Sequence, residues 1–189
     1  FNNGTLGPAP AIVTAAITAA LEAVEVSGES READREELRS RLAEFVGAAE
    51  DEIALTHNTT EGVNIVASGL SLTEGDEVIV TTHEHVGGAL PWLNRARRDG
   101  VVIRTFRPLP TAAGVLEMIR SILSSRTRVI AIPHISCTTG QVFPIEEIAQ
   151  LARNYGILLF VDGAHGTGML SLNLRQSGVH FYASCLHKW

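Results

Sequence analysis

The chain has 189 residues, 45% hydrophobic and 19% charged, which is the composition of a globular protein with a sizeable core and excludes a disordered one. Fifteen Lys and Arg against 21 Asp and Glu give a net charge of −6 without any basic run, which argues against nucleic acid or an anionic membrane as the main partner. No apolar run reaches the ~18–20 residues that span a bilayer. Two cysteines are too few for a disulfide framework and fit a reduced, cytoplasmic setting.

Helix-like and strand-like segments alternate. Leu38, Leu42, Phe45 and Val46 recur at helical spacing over 36–46, and Gly47 ends the run. Residues 53–56 read as a short apolar strand. Val63, Val66, Ala67 and Leu70 mark one face of the next helix. A strand at 77–81 comes first, residues 91–98 lie in a helix ended by Gly100, and a strand at 101–106 precedes a helix carrying Leu116, Ile119, Ile122 and Leu123. Residues 128–132 form another apolar strand. Pro144 sits where a first-turn proline is tolerated, with Ile145, Ile148 and Leu151 following at helical spacing. Residues 157–161 are nearly all apolar, as a strand buried on both faces requires, and 179–183 is a last strand. This alternation predicts an α/β fold with a mostly parallel sheet wrapped by helices.

Ligands of open α/β sheets bind beyond the carboxyl ends of the strands, and there the sequence concentrates its polar chemistry. The six predicted strands are followed by His57, Asn58, Thr59 and Thr60; by His83, Glu84 and His85; by His134, Ser136 and Cys137; by Asp162 and His165; and by Ser184, Cys185, His187 and Lys188, the third alone lacking such a cluster. Asn58-Thr59-Thr60-Glu61 reads as a capping-box variant, with Glu61 reaching back. The same segment offers free amides and two hydroxyls to a phosphate. Asp162, at the end of a buried strand, needs a partner to stay ionised: loop amides, or a cation brought by a ligand. Lys188, among apolar and aromatic neighbours, suits a lysine that loses its proton and forms a Schiff base. His83, His85, His134, Asp162 and His165 also permit a metal-dependent hydrolase, although none shows the spacing of a known metal motif.

Val161-Asp162-Gly163-Ala164-His165, followed some twenty residues on by Leu186-His187-Lys188-Trp189, with Thr59-Thr60 and Glu84-His85 upstream, forms a specific combination. By it the chain resembles, from Phe1-Asn2-Asn3-Gly4 to Trp189, the class V aminotransferase family of enzymes that use pyridoxal 5′-phosphate (PLP). That family includes cysteine desulfurases and isopenicillin N epimerase-like proteins. The resemblance implies a three-layer, mostly parallel sheet with helices on both faces, the PLP-dependent transferase large domain of fold type I. It implies that Lys188 holds PLP covalently and shuttles a proton, that Asp162 pairs with the ring nitrogen, and that His85 stacks on the ring. Thr59, Thr60 and His187 would bind the phosphate, and His165 would meet the ring hydroxyl. Cys137 stands where desulfurases carry Asn. Cys185 stands where a Ser or Asn of relatives meets the phosphate, with Ser184 one residue off that register. The Gly140-Gln141-Val142-Phe143-Pro144 run, His165 and Trp189 lean towards the epimerase-like branch.

The reaction implied is one on an amino-acid substrate at Cα, Cβ or Cγ, by epimerisation, C–S lysis or transamination, with a cysteine desulfurase or selenocysteine lyase as the main alternative. Residues 1–189 would form the PLP-binding large domain, stopping just past Lys188. A seventh strand, a small C-terminal domain, a substrate-binding Arg and any nucleophilic Cys would lie beyond, so residues 1–189 expressed alone should be insoluble or molten. Relatives are homodimers with the site at the interface, and the same is expected here.

Overall fold

The computed structural model describes residues 7–28 and 32–188, with side chains from residue 35 in the second segment; Phe1 to Gly4 and Trp189 therefore lie outside the described residues. Helices α1 (Ala11–Ser27) and α2 (Glu32–Val46) and a 3₁₀ turn (Glu50–Glu52) lead into α3 (Thr59–Gly69). Then β1 (Glu77–Thr81), α4 (Val86–Asp99), β2 (Val102–Phe106), α5 (Ala112–Ile122) and β3 (Thr127–Pro133) follow. The chain continues through α6 (Ile145–Asn154), β4 (Leu158–Asp162), α7 (Leu174–Ser177) and β5 (Phe181–Ala183).

The five strands form one sheet in the order β2-β1-β3-β4-β5, and every pairing is parallel. Because successive side chains leave a strand on opposite faces, each inner strand feeds two cores. Ile79, Ile130, Ile132, Leu159 and Val161 pack with Val115 and Ile119 of α5 and Ile148 and Ala152 of α6. Val78, Val80, Val129, Ala131 and Phe160 pack with Val63 and Ala67 of α3 and Trp92 of α4. The result is the expected three-layer sandwich, and burial on both faces explains why β3 and β4 read as unbroken apolar runs.

Two expectations change. Residues 53–56 are not a strand: they follow the 3₁₀ turn, Ala54, Leu55 and Thr56 are exposed, and no described segment pairs with them. An apolar run without a neighbour for its N–H and C=O groups cannot become sheet. Residues 91–98 lie in a helix ended by Gly100, as expected; it begins at Val86, which puts Pro91 inside it and His85 at its N-cap. Pro144 occupies the N-cap of α6, one residue before its first turn. Helices α1 and α7 were not expected. None of the residues of α1 is buried, and Ile12, Ile17, Leu21 and Val26 are exposed along it.

Candidate active site

The chain runs from β1 outward to β2 and then returns to place β3 on the other side of β1. That reversal opens a crevice at the carboxyl edge, where the loops after β1 and β3 part. A cavity of about 460 Å³ lies there, within the size range of small-molecule sites. Of the predicted site residues, Thr59, Thr60, His85, Asp162, His165, His187 and Lys188 all line it, together with Asn58, Cys137 and Cys185. Ser184 does not. Its hydroxyl donates to the Gly163 carbonyl at 3.1 Å and lies 2.6 Å from Thr167 Oγ1, so Cys185 takes the wall position instead.

One end of the cavity is the N-terminus of α3. Asn58 Oδ1 accepts the Glu61 amide at 2.9 Å, as a cap should. Glu61 reaches one residue further back than a capping box, accepting the His57 amide at 2.6 Å and lying 2.9 Å from its Nδ1. The His57 amide holds the Glu61 carboxyl below its usual range. The first-turn amides of Thr59 and Thr60 have no place in the helix's own bonding pattern. Thr59 Oγ1 is wholly buried without a hydrogen-bond partner among the described residues. α3 crosses β5 so closely that a β-carbon on Gly62 would stand 2.8 Å from Ala183 Cβ, and this contact brings Thr59 and Thr60 beside the 185–188 loop.

The other end is built on Asp162, the buried last residue of β4. Its Oδ1 accepts the Ala164 amide at 3.0 Å. Burial pushes its carboxyl up, while the Ala164 amide, His85 and Lys188 pull it down. Lys188, the only lysine in the sequence, places Nζ 3.3 Å from His165 Nε2. Burial, then Lys188 and His85, lowers the His165 imidazole, which favours the neutral ring that can accept from Nζ. His85 caps α4 by accepting the Gly87 amide on Nδ1 at 3.1 Å, which leaves Nε2 as the protonated nitrogen of the neutral ring. Burial also raises the Cys137 thiol.

Two groups assigned no role from the sequence complete this end. Glu84 is pushed up to about 8, by burial first and by Asp162 second. Tyr182, on β5, lies against Gly163 and Gly166, where any β-carbon would overlap its ring or hydroxyl. Its hydroxyl is 2.9 Å from His134 Nδ1, and burial drives that imidazole down to about 4. His134 thus braces the wall instead of lining the cavity. Among the described residues no group of three or more His, Cys, Asp or Glu side chains is placed to hold a metal ion, and no helix is long and apolar enough to cross a membrane.

A family model described as aminotransferase class-V matches residues 14–189. A probable cysteine desulfurase of Methanothermobacter thermautotrophicus is 37% identical over 81% of this chain and 38% of its own length. An isopenicillin N epimerase of Streptomyces clavuligerus is 38% identical over 80% of this chain and 39% of its own. Among solved structures, a mutant of C-DES with glycine covalently linked to its PLP cofactor superposes with a TM-score of 0.90 at 32% identity, covering all of this chain and 52% of that one. The chain thus spans about two-fifths of the curated relatives it matches and about half of that solved structure.

Proposed function

This chain belongs to the aminotransferase class-V family, and on that premise we propose that residues 1–189 are the cofactor-binding large domain of a PLP-dependent enzyme acting on an amino acid. The observation that carries the reading is the convergence of Lys188, Asp162 and the α3 N-terminus on one cavity. The residues fit the cofactor's three chemical demands. The orphaned Thr59 hydroxyl and the first-turn amides of α3 suit a phosphate. A buried carboxylate suits a protonated ring nitrogen. A half-buried lysine suits covalent attachment.

Each residue then has a task. Thr59 and Thr60, with His187 at the cavity wall, hold the phosphate. Asp162 keeps a proton on the ring nitrogen, and His85 covers one ring face. His165 would meet the ring hydroxyl and accepts from Lys188 Nζ at 3.3 Å. Lys188 attaches the cofactor and afterwards carries a proton between Nζ and the substrate α-carbon. Bound PLP supplies the electron sink that stabilises negative charge at that carbon. Cys185 replaces Ser184 at the wall, its thiol directed to the Ala164 carbonyl at 3.7 Å.

Relatives of nearly equal identity are named for desulfurisation and for epimerisation. His165 and the 140–144 run favour an epimerase-like or C–S lyase-like reaction, with the desulfurase as the second reading. A homodimer with the site at its interface, in the cytoplasm, belongs to the same proposal. The test is reduction of the purified full-length protein with borohydride, followed by peptide mapping. A phosphopyridoxyl group on Lys188 is expected, and a colourless protein without one would overturn the reading.

A further inference from the structure

A second carboxyl stands against Asp162, and its task is a separate matter. Glu84 follows β1 and Asp162 ends β4, yet the two converge on the first turn of α4. A β-carbon on residue 88 would stand 3.1 Å from Asp162 Oδ2 and 3.2 Å from Glu84 Oε2. A side chain at 88 would crowd both oxygens, and the glycine leaves the first turn of α4 close to the two carboxyls. Glu84 Oε1 is wholly buried, with no hydrogen-bond partner among the described residues. Two neighbouring buried carboxyls cannot both ionise without a counter-charge.

The surroundings are unequal. Asp162 accepts the Ala164 amide and feels His85, at the head of α4, and Lys188, in the last loop. Glu84 is faced by Thr81 at the end of β1 and by the Asp162 charge. His83 shares its loop, and Cys137, after β3, feels Asp162, Lys188 and Glu84 together. Hydrogen bonds from Thr81 favour the Glu84 anion but are outweighed by burial and by Asp162, whereas the Ala164 amide, His85 and Lys188 all favour the anion at Asp162.

We propose that Glu84 and Asp162 form a carboxyl pair that holds one proton, resident on Glu84, so that Glu84 is a positioning residue for the Asp162 anion. The pair carries one negative charge where two would be too costly to bury. Any cationic group bound at Asp162 then meets a fixed, singly charged partner. Its consequence for the ring nitrogen rests on the reading above, but the pair itself can be tested without cofactor.

The experiment is infrared spectroscopy of the full-length apoprotein at neutral pH, with wild type labelled with ¹³C on either Glu or Asp carboxyls, and with Glu84→Gln and Asp162→Asn. A protonated carboxyl band that shifts with Glu label but not with Asp label, disappears in Glu84→Gln and fades as pH rises through about 8 is expected. In Asp162→Asn the same band should persist to lower pH only, because the repulsion that holds the proton on Glu84 is gone. A band that follows the Asp label, or no carboxyl band in wild type, overturns the proposal whether or not the variants fold. An apoprotein that shows the Glu band but never takes up PLP leaves the pair standing and sinks the cofactor reading. A PLP-loaded protein whose apo form lacks the band does the reverse.

Discussion

The two ends of the cavity solve opposite problems with opposite materials. At the α3 end there are donors in excess: first-turn amides and the Thr59 hydroxyl, arranged by backbone geometry and an Asn58 cap. At the Asp162 end there are acceptors in excess, two carboxyls close to a helix turn where a glycine leaves them room. Unpaired amides at a helix end cost little, because water or an anion can reach them. Buried carboxyls cost much more and respond to protons. The first end should therefore tolerate changes of pH and hold its ligand as an anchor, while the second should set reactivity and be the pH-sensitive part of the fold.

Substitutions at the two ends sharpen or break this contrast. Lys188→Ala stands between them and should have the largest effect, abolishing turnover and borohydride capture while leaving phosphate-anchored PLP binding measurable by equilibrium dialysis. Asp162→Ala should lose ~10²-fold or more in kcat with PLP still bound, since an electrostatic partner in a dry site is worth several kcal/mol. Equal losses of binding and kcat there would erase the distinction. Thr59→Val, at the other end, should raise the Kd for PLP ~10-fold to 10²-fold, the loss of a hydrogen bond to a charged group, with kcat at saturation nearly unchanged.

The smallest effect is in stability against pH. Glu84 has a folded-state pKa raised from 4.5 to about 8. Its contribution is fully present below about 4.5 and is lost as pH rises through about 8. Thermal melts of the apoprotein should therefore show Tm falling across that window, and Glu84→Gln should flatten the slope. Thr59→Val should leave that slope alone. A Thr59→Val slope as flat as that of Glu84→Gln would show that the pH response does not belong to the carboxyl end.

Much of this was legible because parallel strands announce both themselves and their ends. The apolar runs ending at Thr81, Ile132 and Val161 placed His85, Cys137 and Asp162 at one edge. Residues 53–56 failed because an apolar run carries no information about whether a neighbour exists to pair with it. Ser184 lies outside the cavity while Cys185 lines it, because a strand end fixes which residues follow, not which of two successive side chains faces inward. Glu84 hid beside His85 because its significance lies in an approach to Asp162, 78 positions away, that only the glycine at 88 reveals. Tyr182 looked like strand filler, and its bracing of His134 and of two glycines is a tertiary fact. The even apolarity of α1 offered no single-face period to read.

The order β2-β1-β3-β4-β5 also governs how the protein comes into being. β1 must wait some fifty residues for β3, and each later strand joins only after a helix has crossed back over the sheet. Such non-local parallel pairings close slowly. β5, three residues long at the sheet's edge, carries Lys188 just beyond it and secures that loop through its contact with Gly62. Asp162 and the α3 cap can be in place before it docks. In a refolding experiment the far-ultraviolet signal of the helices would then recover first and the capacity to capture a carbonyl compound last, so newly made chains would pass through a stage that is folded to most probes but chemically silent.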